Sequence, residues 1–94
     1  MSPSEIREET FTILNELGLH ARPAMLLVQS ISRLNCSMVT IEKDGLEADG
    51  KSIMGVLTLA AEQGSQIKVR AEGPDADKVL EAIRKLVNDK FGED

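Results

Sequence analysis

The sequence has 94 residues, 41% of them apolar and 29% charged, a mix that supports one small core and excludes a second separately cored domain. Its 16 acidic and 11 basic residues leave a net charge of -5, which repels phosphate backbones and anionic lipid surfaces. Only Phe11 and Phe91 are aromatic, so the stacking platform of a single-strand nucleic-acid binder is missing as well, and neither nucleic acid nor membrane is expected as a partner.

A lone Cys36 rules out an internal disulfide framework, and the polar run Ser2 to Thr10 contains no apolar signal core. The longest apolar stretch, Ala24 to Val28, falls far short of the roughly 20 residues that span a bilayer. The chain reads as cytoplasmic, where the glycosylation-like triplet Asn35-Cys36-Ser37 carries no chemistry. Residues 1–94 are expected to form a single domain, with 1–9 as a flexible N-terminal tail.

Thr10-Phe11-Thr12-Ile13 alternates polar and apolar residues, predicting a strand with Phe11 and Ile13 toward a core. From Ala21 to Leu34 the apolar positions Ala24, Leu27, Val28, Ile31 and Leu34 recur at steps of three and four, the stripe of an amphipathic helix. Pro23 marks its first turn, where a missing N–H costs little. Val39 and Ile41, the turn Asp44-Gly45, then Leu46 and Ala48 predict a hairpin. Ser52 to Ala61 reads as a short helix capped by Ser52 and weakened by Gly55. Gln66 to Glu72 alternates through Ile67, Val69 and Ala71, a further strand. Gly73-Pro74-Asp75 then opens a last helix with Ala76, Val79, Leu80, Ile83, Leu86 and Val87 on one face. The order βαββαβα with short connections implies an α+β fold, an antiparallel sheet with helices on one face and solvent on the other.

The single histidine, His20, stands where the first loop meets the first helix, in Gly18-Leu19-His20-Ala21-Arg22-Pro23-Ala24. The opening N–H groups of that helix suit an anion, and Arg22 adds a guanidinium fork matched to phosphate. A neutral imidazole there has a lone pair able to attack phosphorus. From the residues alone, His20 is an anion-binding or phosphorylatable group, or a simple helix cap. One His and one Cys cannot build a zinc centre, and Lys51-Ser52 lacks the glycine spacing of a Walker loop. Neither a metal nor any other cofactor is called for.

The run Gly18 to Ala24 resembles the active-site signature of the HPr family, the histidine-containing phosphocarriers of the bacterial phosphoenolpyruvate phosphotransferase system. Gly50-Lys51-Ser52-Ile53-Met54-Gly55-Val56 resembles that family's regulatory serine segment. The resemblance extends from about Thr10 to Val87 and implies an open-faced β-sandwich with sheet order 1-4-2-3. It implies that His20 accepts a phosphoryl group on Nδ1 from phosphorylated enzyme I and passes it to an enzyme IIA domain, with Arg22 contacting the phosphate. Gly18 would give the loop room, and Ala21 and Pro23 would belong to the helix start that holds the anion. Such a protein is a stoichiometric carrier rather than an enzyme. Ser52 would be the target of an HPr kinase/phosphorylase, and Met25, Ile53, Met54 and Leu57 would form an apolar docking patch. A transcriptional regulator is a further partner the resemblance admits, and a monomer is expected.

Three departures from the sugar-transport pattern stand out. Leu17 occupies a position where many sugar-type members carry a small polar residue, Glu16-Leu17-Gly18 resembles the nitrogen-related NPr branch, and the N-terminal segment is longer than is usual. Alternatives are therefore a nitrogen-related regulatory phosphocarrier, or a phosphate-independent regulatory binding module that uses the surface around Met54. A small-ligand-binding domain is a third, for which the sequence offers no convergent polar group.

Overall fold

A computed structural model describes residues 5–93. The elements are β1 (Ile6–Thr12), α1 (Ala21–Ser32), β2 (Met38–Lys43), β3 (Leu46–Asp49), α2 (Ile53–Thr58), β4 (Gln66–Glu72) and α3 (Ala76–Asn88), followed by a 3-10 turn at Lys90–Gly92. The four strands form one antiparallel sheet in the order β1-β4-β2-β3.

β4 lies inside the sheet, with Ile67 opposite Phe11 of β1 and Val69 opposite Ile41 of β2. Its period-two pattern sends Ile67, Val69 and Ala71 into the core and leaves Gln66, Lys68 and Arg70 exposed. The solvent face carries Glu8, Thr40, Glu42, Lys68, Arg70 and Glu72. Over the apolar face, α3 packs on β1 and β4, while α1 lies against α2 and α3. This is the α+β open-faced sandwich that the sequence implies. At the hairpin tip Asp44 and Gly45 both have positive φ, 52° and 83°, as a two-residue turn joining right-twisted strands requires.

α1 buries Pro23, Ala24, Leu27, Val28 and Ile31, and it ends at Ser32, so the predicted Leu34 packs against the core from just beyond the helix. α3 buries Ala76, Val79, Leu80, Ile83 and Val87. α2 is shorter than the predicted segment Ser52 to Ala61: it stops at Thr58, and Ala60 turns back with φ 50°. That reversal brings Ala61 into the core beside the loop that precedes α1.

The expected flexible tail over 1–9 is corrected for Ile6–Glu9, which belong to β1; residues 1–4 lie outside the described residues. The segment Ile6-Arg7-Glu8-Glu9 has no apolar alternation because only Phe11 of β1 faces the core fully. Its pairing rests instead on backbone register, Ile6 opposite Glu72 through Glu9 opposite Val69. Arg7 to Asp77 at 2.9 Å and Arg84 to Glu9 at 2.5 Å tie the strand to α3. Among the described residues no helix is long and apolar enough to cross a membrane.

Candidate functional site

The loop between β1 and α1 is fixed by backbone bonds to the segment following α2. Ile13 N–H donates to Ser65 O at 2.9 Å, Gly64 N–H to Ile13 O at 2.8 Å, and Leu19 N–H to Ala61 O at 2.8 Å. Gly18 has φ 70°, and a Cβ there would sit 2.4 Å from Ala61 O. Glycine is thus required twice over, by the left-handed backbone and by the close approach of a second strand of chain.

His20 is the N-cap residue of α1, with extended backbone (φ −80°, ψ −168°), and its side chain makes no capping bond. The helical ladder starts with Ala24 N–H donating to His20 O at 3.0 Å, so Pro23 sits before the first bond it could disrupt. The Ala21 and Arg22 amides precede that bond and belong to the positive end of the helix dipole. Ala21 and Arg22 are exposed, and Pro23 is buried.

The ring of His20 is engaged from the far end of the chain. Its Nε2 lies 2.7 Å from Glu93 Oε2, with the two side chains 38% and 18% exposed. Asn15, fully buried, donates from Nδ2 to Glu93 Oε1 at 3.0 Å and to Gly18 O at 2.7 Å. Partial burial pushes the Glu93 carboxyl up, but the hydrogen bonds from Asn15 and His20 and the charges of His20 and Arg22 outweigh it and hold the group below its ordinary range. An ionised carboxylate can only accept, so His20 donates from Nε2–H. In the neutral ring the lone pair then resides on Nδ1. The site brings an imidazole nitrogen with a free lone pair, a helix N-terminus and an arginine within one turn of chain.

Asn15 and Glu93 were not among the residues the sequence marked. Asn15 carried one faint signal, a polar residue two positions past the buried Ile13. Glu93 carried an indirect one: Phe91 is an isolated aromatic in the polar run after Val87, and it is 1% exposed, which anchors the chain end against the body.

Ser52 caps α2, its Oγ accepting Gly55 N–H at 3.1 Å. Met25, Ile53 and Met54 are exposed on α1 and α2, which pack together, with Met54 74% exposed. Leu57 is half-buried and packs against the core. Leu17, in the loop before His20, is an apolar side chain 68% exposed. Among the described residues no group of three or more His, Cys, Asp or Glu is placed to hold a metal ion.

The family model described as the PTS HPr component phosphorylation site matches residues 7–89. The phosphocarrier protein HPr of Xylella fastidiosa strain Temecula1 is 44% identical over 93% of this chain and 97% of its own length. The phosphocarrier protein NPr of Escherichia coli K12 is 37% identical, with the same coverage of both chains. A crystal structure of HPr from Thermoanaerobacter tengcongensis superposes with a TM-score of 0.88 at 42% identity, covering 94% of this chain and 98% of the other. With the fold, the loop and the sequence in agreement, the chain belongs to the HPr family, the phosphocarriers of the phosphotransferase system.

Proposed function

We propose that His20 is the phosphoryl acceptor and that Nδ1 is the atom that bonds to phosphorus. The observation that carries this is the 2.7 Å contact between His20 Nε2 and Glu93, which occupies one ring nitrogen and leaves the lone pair on the other. Nδ1 attacks the phosphorus of phosphorylated enzyme I, the new N–P bond forms as the donor's bond breaks, and the donor keeps that electron pair. The reverse exchange with an enzyme IIA domain releases His20 for another cycle.

Negative charge on the transferred group is met by the Arg22 guanidinium, whose charge is felt at Glu93, and by the Ala21 and Arg22 amides at the helix start. Gly18 supplies the tight loop that brings His20 to the helix start, and Pro23 opens the helix without costing a bond. Because the phosphoryl group leaves unchanged and no covalent substrate is turned over, the protein acts as a carrier and not as an enzyme. Met25, Ile53, Met54 and Leu57, on two adjoining helices, form the surface that meets successive partners. Ser52 is the regulatory site: a phosphoryl group there adds negative charge at the head of α2, next to exposed Ile53 and Met54. A cognate HPr kinase/phosphorylase should label the wild type and leave Ser52→Ala unlabelled.

Intact mass after incubation with phosphoenolpyruvate and enzyme I tests the acceptor assignment. The wild type should gain one acid-labile phosphoryl group and His20→Ala none. No gain in the wild type with several enzyme I sources would overturn the carrier reading and favour a phosphate-independent binding module.

A further inference from the structure

Features of the C-terminal segment and of Asn15 converge on His20. Lys90 and Phe91 both have positive φ, 53° and 55°, a conformation that L residues adopt at a cost and that persists only where surrounding contacts impose it. Phe91 is driven into the core at 1% exposure, and this reversal returns the chain so that Glu93 reaches the loop before α1. Asn15 then clamps both ends of the arrangement, since its amide nitrogen serves the Gly18 carbonyl and the Glu93 carboxylate together. Both partners are acceptors, so only the amide face can point this way, and Asn15 Oδ1 is left buried without a partner. A fully buried amide that forgoes one hydrogen bond to make these two is poorly explained by packing alone.

We propose that Asn15 and Glu93 are positioning residues for phosphoryl transfer: the carboxylate, aimed by Asn15 and by the left-handed turn at Lys90–Phe91, fixes the ring orientation and the Nε2–H tautomer of His20. The proposal rests on the acceptor assignment made above. After transfer to Nδ1, the Nε2–H remains bonded to Glu93, so the ring need not rotate between the free and phosphorylated states. The device works through His20 and does not touch the phosphoryl group.

The test combines ring 15N spectra of His-labelled protein with the rate of phosphoryl gain from phosphorylated enzyme I. Wild type should show protonated Nε2 and unprotonated Nδ1, and Glu93→Ala should show mixed tautomers with transfer slowed about tenfold or more. Glu93→Gln, which keeps an acceptor oxygen, should restore much of the wild-type tautomer. Asn15→Asp replaces the two donated hydrogen bonds with like charge against Glu93 and should reproduce the Glu93→Ala spectrum. Because a buried acid at position 15 can unfold the protein, Glu93→Ala is the deciding variant. Unchanged tautomer and rate in Glu93→Ala, in protein whose wild type is phosphorylated on His20, overturns the positioning role alone. Absence of phosphoryl gain in the wild type overturns the acceptor assignment and this role with it.

Discussion

Gly18→Ala should be one of the most costly small changes in the molecule, and its cost can be built from two separable parts. At φ 70° an L side chain is strained by about 1–2 kcal/mol. The new Cβ would also lie 2.4 Å from Ala61 O and 2.9 Å from Glu62 Cα, both backbone atoms that cannot swing aside as a side-chain tip can. Relief requires moving the 61–62 segment, which accepts the 2.8 Å bond from Leu19 N–H. Overpacking of this kind costs about 1–3 kcal/mol, and a weakened hydrogen bond about 1 kcal/mol more. The expected loss is therefore about 3–6 kcal/mol, a large share of the about 5–15 kcal/mol that holds a small domain together. Gly64→Ala separates the parts, because Gly64 has φ 87° and nothing within 4 Å of its added Cβ, leaving conformational strain alone. Urea unfolding followed by circular dichroism, with equal m values checked, gives both free energies. Losses of equal size in the two variants would refute the steric argument and place the whole requirement for glycine in the backbone dihedral.

Phe91→Ala should cost about 3–5 kcal/mol in the same assay, since a ring that is 1% exposed leaves a cavity, and a loss under about 1 kcal/mol would show that the C-terminal turn does not dock. The Glu93 carboxyl lies below its ordinary range in the folded protein, so its stabilising contribution is present above the unfolded value of about 4.3 and fades as the pH falls through the lower folded value. The stability gap between wild type and Glu93→Gln should accordingly be open above about pH 5 and close as the pH falls below about 4. A gap that stays constant from pH 7 to pH 3 would contradict the charge-assisted bonds from Asn15 and His20.

How much could be read in advance depended on whether a residue's role is set by its neighbours in sequence. α1 and α3 were legible because an amphipathic stripe is a local periodicity: the expected apolar positions are buried in both helices except Leu34, which packs from beyond α1, and Leu86, which is half-buried against the core. The hairpin was legible for the same reason, its Asp44-Gly45 turn standing between two alternating runs. His20, Arg22 and Pro23 announce themselves because loop end, helix start and guanidinium fall within four residues.

The tertiary structure decided what distant segments do to one another. The first half of β1 looks like a charged tail until β4 is present to pair with it, for a backbone ladder imposes register without asking for apolar side chains. Ser52 to Ala61 reads as one helix, yet the chain turns at Ala60 to give Leu19 its acceptor at Ala61. Above all, Asn15 and Glu93 are 78 positions apart and meet only because Phe91 finds the core. Sequence alone determined the sheet-and-helix class and the histidine at the helix start, both being short-range consequences of residue type. Which ring nitrogen of that histidine is free was decided only in three dimensions, because it depends on a hydrogen bond from the other end of the chain.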